Sequence, residues 1–339
     1  LLKLPDNNKK EIIMNYVRFG KTGVLVSEAC LGTMTFGNET DEPTARAIMD
    51  RAVDLGFNFF DTAHNYNKGE TERIVGRWLG AHRKEIILAS KVFFPAGGGR
   101  NDQGTSRRNV IFAVEESLRR LQTDYLDLLY LHHWDEHVEI EQTLSAIHTL
   151  VEQGKVVYCG VSNFSAWQTM KAISVADARN YPPVICMQPM YSLVKRQVEV
   201  ELLPLAQYEG LAVCPYNVIG AGLLTGKYLK GGTGRISETE MYRQRYANPI
   251  YGEIAERFVK YAAEKGYSPA PLAAAWVMSH PLVTSTIIGA RNMEQFENTA
   301  GCLNIQLTPE QRAEITALSV DPPLATDRES MDAVKTRGW

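Results

Sequence analysis

Four polar residues stand where short apolar runs end, and their types suggest proton transfer. FNFF leads into Asp61, EIILAS into Lys91 and YLDLLYL into His132, while Tyr66 follows Asp61 by five residues. A carboxylate, a phenol, an ammonium and an imidazole at one end of a parallel sheet could protonate a carbonyl oxygen while a hydride reaches the carbon. Tyr66 is then the acid. A free phenol titrates near ~10, and the Lys91 ammonium beside it favours the phenolate and pulls that value down. Asp61 keeps Lys91 charged and oriented, and His132 offers a hydrogen bond to the oxygen as negative charge builds. Taken singly, each residue has a blander role as turn former, solvated lysine or polar rim residue. Their succession at consecutive strand ends is what carries weight.

The elements that must position them read as an alternation of strands and helices. Strands are expected near 28–33, 57–61, 86–91, 126–131, 156–160, 184–188, 211–216 and 284–288. Helical patterns fall near 42–55, 70–81, 107–121, 138–153, 165–177 and 197–209, with two or more after 250. This spacing implies right-handed βαβ units and a parallel sheet. Eight repeats predict an α/β fold, a (β/α)8 TIM barrel, in which chemistry sits at the C-terminal strand ends. Pro43 in the first turn of a helix, Ser165 as an N-cap, and Gly56, Gly154 and Gly210 as left-handed stops punctuate the pattern. NYVRFG-KTG-VLVSEA predicts an N-terminal β-hairpin that plugs the barrel. Residues 217–250 predict a long Gly-rich loop after strand seven, of a length that usually serves a function.

The 339 residues are 45% apolar with a net charge of −3, enough for a large core and without a basic run for nucleic acid or an anionic membrane. No apolar stretch reaches the length of a bilayer span. The five cysteines (Cys30, Cys159, Cys186, Cys214 and Cys302) lack C-x-x-C spacing and fit buried thiols in a reduced cytoplasmic protein rather than a metal site. Residues 1–13 read as a vector-derived or disordered leader before Met14, 14–320 as one barrel domain, and 321–339 as a tail. GGG at 97–99 reads as a mobile loop, not a phosphate cradle.

The chain resembles the aldo-keto reductases, in the branch near the potassium-channel β-subunits and their bacterial homologues. The segments that carry the resemblance are LGTMTFG (31–37), FFDTAHNYNKGETERIVGRWL (59–79), ASKV (89–92), DYLDLLYLHHWD (124–135), GVSNF (160–164), MQPMYSL (187–193), AGLLTGKY (221–228) and IIGARNMEQ (287–295). The resemblance implies the tetrad Asp61, Tyr66, Lys91 and His132, and NADPH, with NADH less favoured, bound without a Rossmann fold. It implies Ser162, Asn163 and Gln188 on the carboxamide, Tyr216 stacked on the ring, and Gly32, Thr33, Met34 and Asp61 lining it. Leu224, Gly226 and Lys227 would wrap the pyrophosphate. Arg291, Gln295 and Asn298 would hold the adenosine end, with Arg291 on the 2′-phosphate.

Three departures stand out. Asn217-Val218 replaces Ser-Pro after the strand-seven aromatic, Asn298-Thr299 replaces a Glu-Asn pair, and His133-Trp134 replaces smaller neighbours. Phe36, Phe93, His133 and Trp134 are the candidate pocket walls, suited to a small-molecule carbonyl: an aldehyde, a ketone or the face of a sugar. The expected activity is NADPH-dependent reduction of an aldehyde or ketone. The alternatives are a nicotinamide-binding interaction subunit with little turnover and a lysine aldolase using Lys91. No feature of the sequence decides the oligomeric state.

Overall fold

The computed structural model describes residues 14–326; the expected leader and the end of the tail lie outside them. An antiparallel hairpin, β1 (Tyr16–Arg18) and β2 (Leu25–Ser27), precedes eight parallel strands. These are β3 (Ala29–Gly32), β4 (Phe59–Asp61), β5 (Ile87–Val92), β6 (Leu126–Leu131), β7 (Val156–Ser162), β8 (Val184–Gln188), β9 (Ala212–Val213) and β10 (Thr286–Ile288). They lie in the order β10-β3-β4-β5-β6-β7-β8-β9. The ring closes where the Ile287 N–H donates to Pro215 O at 2.9 Å and the Thr284 N–H to Val213 O at 2.8 Å. The expected (β/α)8 barrel is therefore present.

Helices α1 (Glu42–Asp54), α2 (Glu70–Leu79), α3 (Arg107–Leu121), α4 (Ile140–Glu152), α5 (Ala166–Arg179) and α6 (Leu202–Glu209) each connect one strand to the next. Their ends follow local chemistry. Asp41 caps α1 by accepting from the Thr44 N–H with Pro43 in the first turn, and Ser165 forms a reciprocal capping box with Gln168 on α5.

Alternation along the strands builds two cores. Cys30, Phe59, Ala89, Leu128, Tyr130, Cys186, Ala212, Cys214 and Ile287 fill the barrel, while residues one step along, such as Leu31, Phe60, Leu88 and Leu129, face the helices. Each large apolar side chain so buried contributes about 1.5–3 kcal/mol. Tyr130 fits inside because residue 160 is glycine: a Cβ there would stand 2.7 Å from its ring. The hairpin's Phe19 packs edge-on to Phe59 at 5.5 Å, so the hairpin stops the barrel floor as expected. All five cysteines are free and buried.

The segment after β9 is more regular than its composition implied. It contains two 3-10 turns, then α7 (Arg235–Glu238) and α8 (Glu240–Arg245), followed by α9 (Ile250–Glu264) and α10 (Pro269–Met278). Asn217 starts it in the left-handed region, φ 61°, which asparagine tolerates. Its Oδ1 accepts from the Ala221 N–H and its Nδ2 donates to the Tyr246 hydroxyl, both at 2.7 Å. Tyr228 ties the next stretch by donating to Ala221 O and accepting from the Ile236 N–H. Helices α11 (Met293–Ala300) and α12 (Pro309–Thr316) complete the described chain, in which no helix is long and apolar enough to cross a membrane. The glycines of 97–99 begin a turn that Asp102 closes by accepting from the Gly99 N–H.

Candidate active site

Asp61 ends β4, Lys91 lies in β5 and His132 follows β6, so strand register alone brings their side chains to one mouth of the barrel. Lys91 is fully buried. Its Nζ donates to Asp61 Oδ1 at 2.5 Å, to Thr62 O at 2.7 Å and to the Tyr66 hydroxyl at 3.1 Å. The ammonium thus uses all three protons on fixed acceptors. Burial alone would lower its pKa, but Asp61 and then Tyr66 outweigh that and raise it, so it stays charged. The His132 ring stands edge-on to Tyr66, with centroids 6.1 Å apart.

Two electrostatic findings refine the sequence reading. Lys91 does pull the Tyr66 phenol down, but burial is the larger effect and the net shift is upward. The expectation of a lowered phenol pKa fails because desolvation of the phenolate outweighs one ammonium already shared with Asp61. His132 is pushed well below the usual imidazole value by burial and then by Lys91, so it is neutral at physiological pH. Its Nδ1 is buried without a hydrogen-bond partner among the described residues.

His64, behind the tetrad, is likewise lowered to about 4, by burial first and then by Arg120. Free histidine takes a proton near ~6.5; the folded chain resists until about 4, so stability falls as pH drops through that window. Glu28, Glu72 and Asp127 are raised by burial and work in the opposite sense. The unfolding temperature of His64→Asn should therefore decline less on acidification than that of the parent. Equal declines across pH would show that His64 is not held neutral.

The rim is aromatic. Phe93 is half-buried and packs edge-on to Phe94 at 5.0 Å and tilted against His133 at 5.2 Å. Phe94, which the sequence reading passed over, is exposed and meets the His132 ring edge-on at 5.0 Å. Trp134 packs on Phe164 and Trp167, each at 5.3 Å. Phe36 is a correction. It is fully buried among the helix-facing core residues and presents no face to a substrate.

A family model described as the Aldo/keto reductase family matches residues 28–320. The chain belongs to the aldo/keto reductase family. It is 39% identical over 309 residues to the "Uncharacterized oxidoreductase YrpG" of Bacillus subtilis (strain 168), covering 88% of this chain and 93% of that one. It is 34% identical over 328 residues to a "Probable voltage-gated potassium channel subunit beta" of Oryza sativa subsp. japonica, covering 93% and 99%. It is 32% identical over 331 residues to "Norsolorinic acid reductase A" of Aspergillus parasiticus (strain ATCC 56775 / NRRL 5862 / SRRC 143 / SU-1), covering 92% and 83%. Membership supports an oxidoreductase and, in general terms, carbonyl reduction.

The residues of this aldo/keto reductase that the sequence singled out for a cofactor form two groups. Beside the tetrad, the Gln188 Nε2 donates to Asp61 Oδ2 at 2.8 Å, and Ser162 Oγ donates to Gln188 O at 3.0 Å. Asn163 Nδ2 donates to His132 O at 3.0 Å, and the Tyr216 hydroxyl donates to Asn163 Oδ1 at 2.6 Å. Thr33 is buried, and both its N–H and its hydroxyl donate to Asp61 O, so it fixes the strand end that carries the carboxylate. Met34 is half-buried and its carbonyl is taken by Asn67. Gly32 packs closely on β10: a Cβ there would stand 2.8 Å from Ile287 Cγ2.

The second group lies along the loop after β9. Leu224 is fully buried in the core, so its side chain is a structural anchor and only its backbone remains available. Lys227 sits in the crook of Gly222 and Gly234, where added Cβ atoms would collide with its side chain. Its pKa is lowered by burial and next by Arg291, the sign of cations crowded together. Arg291 contacts Glu39 at 2.6 Å and Glu238 at 3.2 Å, and Arg235 meets Glu39 at 3.3 Å. Gln295 Oε1 accepts from the Arg291 N–H, and Asn298 Oδ1 accepts from Ser268 Oγ. Arg235, Glu39 and Glu238 were missed because they come from segments far apart in sequence, and no motif marks them.

Proposed function

We propose that the protein reduces an aldehyde or ketone to the alcohol with NADPH, Tyr66 supplying the proton. The observation that carries this reading is the buried Lys91 ammonium held between the Asp61 carboxylate and the Tyr66 hydroxyl. The side chains suit the cofactor. Lys227, Arg235 and Arg291 outnumber the carboxylates Glu39 and Glu238 that they meet, leaving a net positive cluster, and Gln188, Ser162, Asn163 and Tyr216 present amide and hydroxyl groups beside the tetrad. NADPH would supply the hydride.

The chain's own residues do the rest. In the resting site the raised pKa of Tyr66 keeps the phenol protonated. As charge develops on a substrate oxygen, that oxygen becomes the stronger base and takes the phenolic proton. Lys91 then faces a phenolate at hydrogen-bond distance and stabilises it, while Asp61 and Thr62 O hold the ammonium still. Neutral His132 offers a hydrogen bond without competing as the acid. The aromatic rim of Phe93, Phe94, His133 and Trp134 suits an apolar or ring-bearing carbonyl. That one relative is named a norsolorinic acid reductase favours the same chemistry.

The test is consumption of NADPH with a panel of aldehydes, ketones and sugars, alongside a binding measurement for NADPH. Turnover with matching alcohol formation is expected. Tight binding without consumption of NADPH by any carbonyl would favour the second reading, a nicotinamide-binding interaction subunit, which the channel-subunit relative brings forward. Arg291→Ala should weaken NADPH about 10-fold or more, the worth of a charge-assisted hydrogen bond, and leave NADH nearly unchanged. Equal loss for both nucleotides, by fluorescence titration, would place the 2′-phosphate elsewhere.

A further inference from the structure

Glu72 is a fully buried carboxyl that the chemistry above does not use, and its partner Arg120 is only 10% exposed at the side chain. The pair lies behind the tetrad, between the barrel and helices α2 and α3. Arg120 Nη1 donates to His64 O at 3.0 Å and meets Glu72 Oε2 at 3.3 Å. Its guanidinium also lies against Gly69, where an added Cβ would come within 2.5 Å of Cζ. The other carboxylate oxygen of Glu72 accepts from Ser90 Oγ at 2.7 Å, and Ser90 directly precedes Lys91. Arg120 itself is held near because α2 and α3 pack closely at Gly76, where a Cβ would stand 2.4 Å from Arg120 O.

The turn between His64 and Gly69 needs such an anchor. Asn67 (φ 48°), Lys68 (φ 56°) and Gly69 (φ 86°) are three successive left-handed residues. Only glycine adopts that region freely, and strain of this kind persists only where the surroundings enforce it. Asn67 fastens one side by donating to Met34 O and Phe36 O. Arg120 holds the other side, donating to His64 O two residues before Tyr66 and packing its guanidinium on Gly69 three residues after it.

We infer that the buried Arg120–Glu72 pair is a positioning device: it clamps the strained turn on both sides of Tyr66 and, through Ser90, sets the strand carrying Lys91, so that phenol and ammonium meet at hydrogen-bond distance. The inference rests on the reading of Tyr66 as the acid. Neither residue touches the reacting atoms. Both act through the turn.

The test uses Arg120→Met and Arg120→Lys. The lysine keeps a charge for Glu72 but lacks the planar guanidinium that packs over Gly69 while its Nη1 donates to His64 O. Both variants should lower kcat by about 10–100-fold, the scale expected for displacement of a catalytic group by about 1 Å. The dissociation constant of NADPH and KM should stay within about two-fold, because the cofactor and rim residues are untouched. Crystals of either variant should show the 64–69 turn displaced and the Tyr66–Lys91 hydrogen bond lost. A variant that loses thermal stability but keeps the parental kcat, or that leaves the turn and the Tyr66–Lys91 contact in place, overturns the inference. If Arg120→Met does not fold, Arg120→Lys decides. If the parent protein itself turns over no carbonyl, the reductase reading falls, and the crystal structure of the variant alone decides whether the pair sets the Tyr66–Lys91 contact.

Discussion

Replacing Tyr66 with phenylalanine should cut kcat by about 10²–10⁴-fold, the usual share of a general acid, with NADPH affinity nearly intact. The ring survives the change, so its edge-on packing against His132 survives too. Only the hydroxyl that accepts from Lys91 Nζ disappears. Lys91 retains Asp61 and Thr62 O, so the buried charge is not orphaned and folding should be little affected. Steady-state kinetics beside nucleotide titration check both halves. Unchanged turnover would remove Tyr66 from its role.

Lys91→Met should be the more destructive change, because it strikes chemistry and stability together. The side chain is fully buried and its partner Asp61 nearly so, so removing the ammonium leaves a carboxylate whose one remaining side-chain donor among the described residues is Gln188 Nε2. Breaking a buried pair from one side costs about 3–5 kcal/mol, and turnover should fall at least as far as in Tyr66→Phe. Adding Asp61→Asn to Lys91→Met should recover much of the stability, since the stranded charge is gone, and none of the turnover. Chemical denaturation of the single and double variants measures the first part. A single variant as stable as the parent would mean that the pair is more solvated than its burial indicates.

Much of this arrangement was legible in the residue order. FNFF before Asp61 and YLDLLYL before His132 are short, nearly continuous apolar runs of the kind a buried parallel strand makes, so the polar residue that follows each emerges at the strand end. Asp61, Lys91 and His132 come together for that reason, and Tyr66 follows from a short connection.

What was not legible depends on which way a loop side chain turns and on how charges balance. Phe36 lies in a loop after β3, as a pocket residue should, but the Asn67 amide seizes the carbonyls of residues 34 and 36 and the ring packs inward. Phe94, not among the expected pocket walls, meets the His132 ring, and the adjacent pair FF gave no hint of which ring faces out. Leu224 sits in a segment read as a phosphate wrap, yet its side chain belongs to the core. The direction of the Tyr66 shift needed the depth of burial, which no spacing reveals. Glu72 and Arg120 stood in plain view within helical patterns, but an exposed helical face and a buried ion pair use the same residue types.

The central claim concerns one proton, and single-turnover mixing of the NADPH complex with an aldehyde in light and heavy water tests it most directly. The parent protein should oxidise NADPH more slowly in heavy water, because the phenolic hydrogen of Tyr66 is then deuterium, and this solvent dependence should vanish in Tyr66→Phe together with most of the rate. A rate indifferent to the solvent isotope while chemistry limits turnover, or a solvent effect of the same size in Tyr66→Phe, would contradict the account.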